Sequence, residues 1–584
     1  MMVAVEERSD PVPSPGSASG PTAAGEAGAT GGEGATVPPV RLGPMTAADV
    51  LDAGFAVIEA RPRRILAMAA VVVVPTRLVV ALAQSRLVGD LDHIDLLGDP
   101  ALTGGQAGAA AGDRYLVVAL DLLLGGLALV VLAAAIGHLV GQWIMGRDAP
   151  AGEMLGVVAR WWPSLVGSFL LVRAAELAGA LALYVGLLLV VPLLVAVAPV
   201  VGMEGGGPVE VVRRSVRLVR PRHLPVMGLA ILMGVVAEVL VAALSAVPLG
   251  MAAWIGFDRG WLLAALGSTA AEVVTVPFVA AATVWLYVDL RVRTEGFDIE
   301  LAATRLLDRA GDGRAGAAGG QVGGSPPTSG AAAVAGPGGL PVVAPDGVLL
   351  DVERAGVGSR VAAASLDAAV LGAVLLVAAA PVAGVVDGGG RAGIVAAVGV
   401  GLAAALAWAC AFESLGGGRT PGKAVVGLRV LSADGTPERG RQALRRAAGG
   451  VLDLLLVPVG IVAVVAVLSS PRRQRLGDVA AGTVVVRERA AGAALRSPRF
   501  QPPSGWERYT ASIDVSRLGD EAYALVRDLL LRAPSLTPAA LDHLAVRIAN
   551  PVAVRLGHTP PPNVHPHAFL LCVAARWQLL HGGG

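Results

Sequence analysis

Five apolar stretches in the first part of the chain (65–84, 116–140, 164–201, 224–250 and 262–288) and two later ones (361–383 and 392–412) dominate the sequence. A helix needs roughly 20 apolar residues to cross the hydrocarbon core of a bilayer. Runs of that length, repeated this often, predict an all-α fold, a polytopic α-helical membrane protein whose first partner is the lipid bilayer. Composition agrees, with 54% hydrophobic and 16% charged residues over 584 positions, against about 25% charged in soluble domains. The 46 basic and 45 acidic residues leave a net charge of +1, so no global field points to nucleic acid as a partner. Charge must act by position.

The chain divides by composition. Residues 1–44 are Gly, Ala, Ser, Pro and Thr with scattered acids and no signal-peptide core, and read as a disordered leader. Met45 to Ala60 is amphipathic and closes on Arg61, Arg63 and Arg64, as an interfacial helix would. A first multi-span domain is expected over 45–300, a Gly/Pro/Ala linker over 301–349, a second membrane domain over 350–490, and a small soluble helical tail over 491–584.

Orientation follows from the arginines, which favour cytoplasmic loops. Arg61, Arg63 and Arg64, the cluster Arg213, Arg214, Arg217, Arg220 and Arg222, and Arg291, Arg293 and Arg305 are expected inside, and the Asp-rich loop 86–113 outside. The stretch 164–201 must then cross an even number of times, as two tight helices or as a re-entrant hairpin. Arginines flank the marginal run 451–470 on both sides, and Pro458 and Gly460 break its centre, which predicts a hairpin with both ends and the tail inside. The segment from Glu210 to Arg222 reads either as a basic helix on anionic inner-leaflet lipid, each arginine contributing about 1 kcal/mol, or as a topology marker only.

Several polar residues stand where apolar ones are expected. Asp367 lies two turns inside a span, at a cost of about 2.5–3.5 kcal/mol on insertion scales, and shares a helix face with Arg360. The two form a structural ion pair or belong to a path for an ion or solute. The next segment, FESLGGGRTPGKAVVGLRVLSADGTP, carries Glu413, Arg419, Arg429 and the chain's single lysine, Lys423. Its GGGRTPGK superficially resembles a phosphate-binding loop, but Ala424 stands where that loop needs Ser or Thr. Asp453 and Asp478 follow. In the first half Asp121, Arg173, Glu176, Glu238 and Glu272 are ionisable residues at apparent membrane depth; Arg173 and Glu176 are three apart and can pair, whereas Glu238 and Glu272 lack a sequence-local basic partner. Two lone cysteines, Cys410 and Cys572, and scattered histidines give no redox pair or metal motif. No catalytic residues, no cofactor, no metal and no enzymatic activity are expected.

The motif R-x-x-A-x-x-x-D from Arg360 to Asp367, the block GGGRTPGK-x-x-x-G-L-R-V, and RRQRLGDVAAGTVVV occur in this order and together resemble the RDD family of bacterial membrane proteins. The resemblance covers about residues 350–490. It implies that the name-giving arginine and aspartates are Arg360, Asp367 and Asp478, with Glu413, Lys423, Arg429 and Asp453 as accompanying polar positions. It also implies a bacterial plasma membrane and transport of an unidentified ligand, including sodium/proton exchange proposed for some members. A non-catalytic scaffold of an envelope complex is the alternative. The first half, through APVVGMEGGGPVEVVRRSVRLVRPRHLPVMG and YVDLRVRTEGFDIEL, is similar to the membrane domain attached to some glycerophosphodiester phosphodiesterases, without their catalytic domain.

Overall fold

The computed structural model describes residues 42–87, 107–181, 185–316, 340–343, 349–352, 354–379, 390–432, 436, 438, 440–455, 474, 476–488 and 499–581. Most of the expected leader, the acidic loop, the middle of the linker and the second part of the 451–470 run lie outside the described residues.

Among the described residues, seven helices are long and apolar enough to cross a membrane. Six belong to the first half and the seventh begins the second, so the chain is a multi-pass integral membrane protein. The first half is built from α1 (Ala47–Ala60), α2 (Pro62–Leu87), α3 (Ala107–Ile144), α4 (Ala151–Arg160), α5 (Trp162–Leu181), α6 (Val185–Leu194), α7 (Val197–Met203), α8 (Pro208–Val219), α9 (His223–Ile255) and α10 (Phe257–Glu295). Helix α10 is the centre. Of its apolar window 78% is buried, against 28% for the windows of α2, α3 and α5. The outer helices instead present Val71, Leu78, Leu122, Leu170 and Leu177 outward, which suits a surface that faces lipid rather than water.

The stretch 164–201 forms two helices. Its ends adjoin, because Ser164 Oγ donates to the Gly206 carbonyl at 2.5 Å, so α5 and α6–α7 run out and back. Gly179 and Gly186 let the two backbones touch near the far end; a Cβ on Gly186 would stand 2.5 Å from the Gly179 carbonyl oxygen. Pro192 lies inside α6, shortly before the break into α7. A proline removes one helical hydrogen bond and crowds the preceding turn. Both arms are long and apolar enough to span.

The arginine-bearing segments gather at one end of this bundle. Arg61 and Arg64 bind Asp148. Arg214 binds Glu204 and Glu295, and Arg291 lies 3.1 Å from Glu295. Burial opposes the charge of Glu204, but hydrogen bonds from Arg214 and Tyr287 outweigh it and hold the carboxyl below the usual range. Helix α8 turns Val211, Ser215 and Leu218 inward and exposes Arg213, Arg217 and Arg220. Of the five arginines read as an inner-leaflet cluster or a topology marker, Arg214 does not fit the lipid-facing reading, because Glu204 and Glu295 draw it into the bundle.

Helix α11 (Phe297–Gly316) continues the chain into what composition reads as linker. Its first three turns are not linker-like, because Ile299, Ala303 and Leu306 recur at helical spacing and pack against the tail. A short antiparallel pair, β1 (Leu340–Val343) and β2 (Leu349–Val352), closes the same segment. The second membrane unit follows as α12 (Val357–Ala379), α13 (Gly390–Leu415), α14 (Pro421–Val426), β3 (Leu428–Ser432), α15 (Gly440–Leu455), α16 (Leu476–Ala481) and β4 (Thr483–Arg487). Strands β3 and β4 pair antiparallel, Leu428 with Arg487 through Ser432 with Thr483. The tail helices α17 (Glu507–Ser512), α18 (Asp520–Arg532), α19 (Pro538–Leu556) and α20 (Pro566–His581) share their own core with α11 and are tied to it by Arg532–Asp298 and Arg547–Glu300.

Helix α1 joins the two membrane units. On one side Gly54 lets its backbone approach Ala282 of α10, and Phe55 meets Phe278 with ring centroids 4.3 Å apart. On the other, the Asp52 carboxylate accepts from the amides of Gly356 and Ser359 at the start of α12, satisfying donors a helix leaves open there. Arg487 of β4 closes the joint by pairing with Asp49 and Asp52. Asp49 is buried against its charge, yet hydrogen bonds from Thr46 and Arg487 keep its carboxyl below the usual range. Asp52→Ala removes the cap and one anion of the joint together, and should cost about 3 kcal/mol. A lower thermal midpoint in detergent is the expected readout, and an unchanged midpoint would show that the two units are not held this way.

Candidate functional site

The first turns of α12 set the geometry of the second unit. Arg360, Ala363 and Asp367 fall at i, i+3 and i+7, one helical face. Each meets a different part of the segment that follows. Arg360 Nη1 donates to Asp478 Oδ2 at 2.8 Å. The Ala363 carbonyl lies so close to Gly422 that a Cβ there would stand 2.1 Å from its oxygen. Asp367 accepts from the Gly422 amide at 2.8 Å and from Thr420 Oγ1 at 2.5 Å, with Trp408 Nε1 at 3.4 Å. Arg360 and Asp367 thus share a face without pairing with each other.

The Gly-rich turn exists to present α14 to that face. Gly417 and Gly418 adopt φ values of +60° and +86°, a left-handed region that glycine enters freely. Gly418 packs flat on β3, whose Val430 amide donates to its carbonyl at 2.9 Å. Thr420 caps α14 and Pro421 opens it. In a phosphate-binding loop these amides would cradle an anion; here the Asp367 carboxylate takes that position.

Behind the turn lies a set of buried charges. Arg446 of α15 is 1% exposed and Glu413 of α13 is 2% exposed. Arg446 donates from Nε and Nη2 to Glu413, and Lys423 Nζ pairs with the same carboxylate. Asp478, fully buried, lies 3.6 Å from Arg446 Nη1 while it holds Arg360. Glu438 approaches Arg446 Nε at 3.7 Å. Among the described residues, three basic side chains (Arg360, Lys423, Arg446) and three carboxyl groups (Glu413, Glu438, Asp478) therefore meet in one site. Burial works against the charge on Arg446, but Glu413, Asp478 and Glu438 hold its guanidinium above the usual range. Glu438 moves the other way: burial raises its carboxyl, and Arg446 only partly offsets this.

Residues 354–482 match the family model described as RDD family. The matched residues contain every group of that site. No curated protein and no solved structure matches the chain, and the resemblance of the first half to the membrane domain of glycerophosphodiester phosphodiesterases finds no support in these comparisons. Within the RDD segment the structure brings together four of the sequence-expected residues, Arg360, Glu413, Lys423 and Asp478, and sets Asp367 beside them on the Gly422 amide and the Thr420 hydroxyl. Arg429 stands apart, with Nε on the Gly417 carbonyl and Nη1 3.5 Å from Glu488. Asp453 lies on α15, and its side chain is outside the described residues. Arg446 and Glu438 are the members that sequence reasoning missed. Arg446 sits in an arginine cluster that reads as a topology marker, and only the amphipathic spacing of α15, which turns Ala443 and Arg446 inward, distinguishes it from Arg445.

The first half holds a second, smaller set of charges. Arg173 and Glu176 pair at 2.9 Å as their spacing suggests, with Arg173 over the Phe169 ring. Glu272 finds a non-local partner in Arg77 of α2 at 3.0 Å, and Arg77 also pairs with Asp121. Glu238 lies within electrostatic reach of Glu272 and joins no ion pair among the described residues. Arg77 is the residue missed here, although an arginine inside an apolar window is itself a signal.

The contacts at Gly422 give a direct test of this geometry. Gly422→Ala forces α14 away from α12 and should destabilise by about 1–3 kcal/mol, whereas Asp367→Asn keeps an acceptor for the Gly422 amide and should cost about 1 kcal/mol. Chemical denaturation in detergent measures both. An alanine at 422 as stable as the wild type contradicts the close approach.

Proposed function

We propose that the protein moves an ion or small solute across a bacterial plasma membrane, with the RDD segment as the site of passage and both termini in the cytoplasm. The observation that carries this reading is the complete burial of Arg446 among three carboxylates beside the first RDD span. Such a group is costly to desolvate, and replacing a buried ion pair by apolar side chains is often neutral or stabilising. A fold that needed only stability has cheaper solutions. The set adjoins the start of α12, which is long and apolar enough to span, and two cations share one carboxylate. The orientation is supported by the collection of arginine-bearing segments at the α1 end of the bundle, in line with the positive-inside bias. The outward Arg213, Arg217 and Arg220 of α8 would then meet anionic headgroups.

A second reading, a membrane scaffold of an envelope complex, is favoured by the tail. Its helices keep a hydrophobic core separate from the bundle and take no part in the charged site.

The protein reconstituted in liposomes with a pH-sensitive dye and a panel of cations separates the two. Transport predicts flux above that of empty liposomes, reduced at least about tenfold in Asp478→Asn, the equivalent of one charge-assisted hydrogen bond of about 1.5 kcal/mol. A wild-type protein that leaves every gradient intact while a protein partner co-purifies with it would favour the scaffold and overturn transport.

A further inference from the structure

Glu438 lies between β3 and α15, and its side chain has 0% exposure. Neither carboxylate oxygen meets a hydrogen-bond donor among the described residues. Among the described residues its nearest cation is Arg446, whose Nε stands 3.7 Å from Oε1. That nitrogen and Nη2 already serve Glu413, and Nη1 faces Asp478 at 3.6 Å. Glu413, in contrast, holds two cations, Arg446 and Lys423. Among the described residues, one carboxyl group is doubly paired while its buried neighbour shares its one cation. The charged and titratable groups that face Glu438 are Arg446 of α15, Glu413 and Cys410 of α13, Lys423 of α14 and Asp478 of α16.

A buried carboxylate without donors is unstable as an anion, whereas the neutral acid is tolerated. We propose that Glu438 is a proton-binding group of the RDD segment, and that Glu413 and Glu438 are alternative partners of Arg446 between which this proton selects. With the proton on a Glu438 oxygen, Arg446 pairs with Glu413 as observed. When the proton leaves to water, the Glu438 carboxylate draws the guanidinium across the remaining gap into direct hydrogen bonding. Lys423 then keeps Glu413 neutralised, which gives the lone lysine its role. The exchange consumes nothing but a proton from water, and it moves α15 relative to α13. Only as the source of a coupling proton does this role rest on the transport reading; the titration itself does not depend on flux.

The test is infrared difference spectroscopy of the full-length protein in lipid nanodiscs during a pH titration. The wild type should keep the carbonyl band of a protonated carboxylic acid at about pH 6, where ordinary glutamates with pKa about 4.3 are ionised. Glu438→Gln should abolish that band. Glu413→Gln, which releases Arg446 to Glu438, should move its midpoint to lower pH, and Lys423→Met should move it higher. A thermal readout follows independently. Because the folded state holds a proton that the unfolded chain would release, the wild-type melting temperature should fall as pH rises through the Glu438 titration, and Glu438→Gln should flatten that fall. A wild type without the band, or a band that persists in Glu438→Gln, overturns the proposal. Absent flux with an intact, Glu438-dependent band counts against transport alone.

Discussion

Arg446 is the residue on which the RDD segment is arranged. A guanidinium cannot shed its charge inside a protein, so burying it obliges the fold to bring carboxylates to it. Glu413 comes from the end of α13, Glu438 from the segment after β3, and Asp478 from α16. Asp478 in turn fixes Arg360 on α12. Through this one group, parts of the chain more than a hundred residues apart acquire a common position. Removing Glu413 or Asp478 leaves a buried charge uncompensated, which costs about 3–5 kcal/mol. The arrangement is therefore both costly to assemble and hard to dismantle piecemeal.

The same logic links the RDD segment to the first membrane unit. Asp52 places a carboxylate on the open amides of α12, and Arg487 clasps Asp49 and Asp52 from β4. Because α1 also packs on α10 through Gly54 and Phe55, a shift in the charged site has a direct mechanical route to the most buried helix of the bundle. The tail is connected differently, through α11, which continues from the C-terminal end of α10, and through ion pairs at its base.

Much of this was legible in the sequence, for a simple reason. The hydrocarbon core demands long apolar runs, and a lone Asp367 or Glu413 stands out against them. The hairpin within 164–201 was constrained by parity before its geometry was known. What the sequence hid was partnership over distance. Arg360 and Asp367 share a helix face, yet the first reaches Asp478 and the second holds the first turn of α14 through the Gly422 amide and the Thr420 hydroxyl, because the Gly-rich turn carries α14 onto that face. Arg77 and Glu272 are separated by nearly two hundred residues, and only packing brings them to 3.0 Å. Arg446 was disguised by its arginine neighbours. The α11 boundary was obscured by the glycines that closely follow the apolar positions which dock the tail.

The central claim is that the buried charges act as one coupled set rather than as separate anchors. A double-mutant cycle on Arg360 and Asp478, using Arg360→Met, Asp478→Leu and the pair, followed by chemical denaturation of the full-length protein in detergent, measures this most directly. Coupled charges predict an interaction energy of at least about 1 kcal/mol, with the double variant more stable than the sum of the single losses. Strictly additive losses would contradict the account.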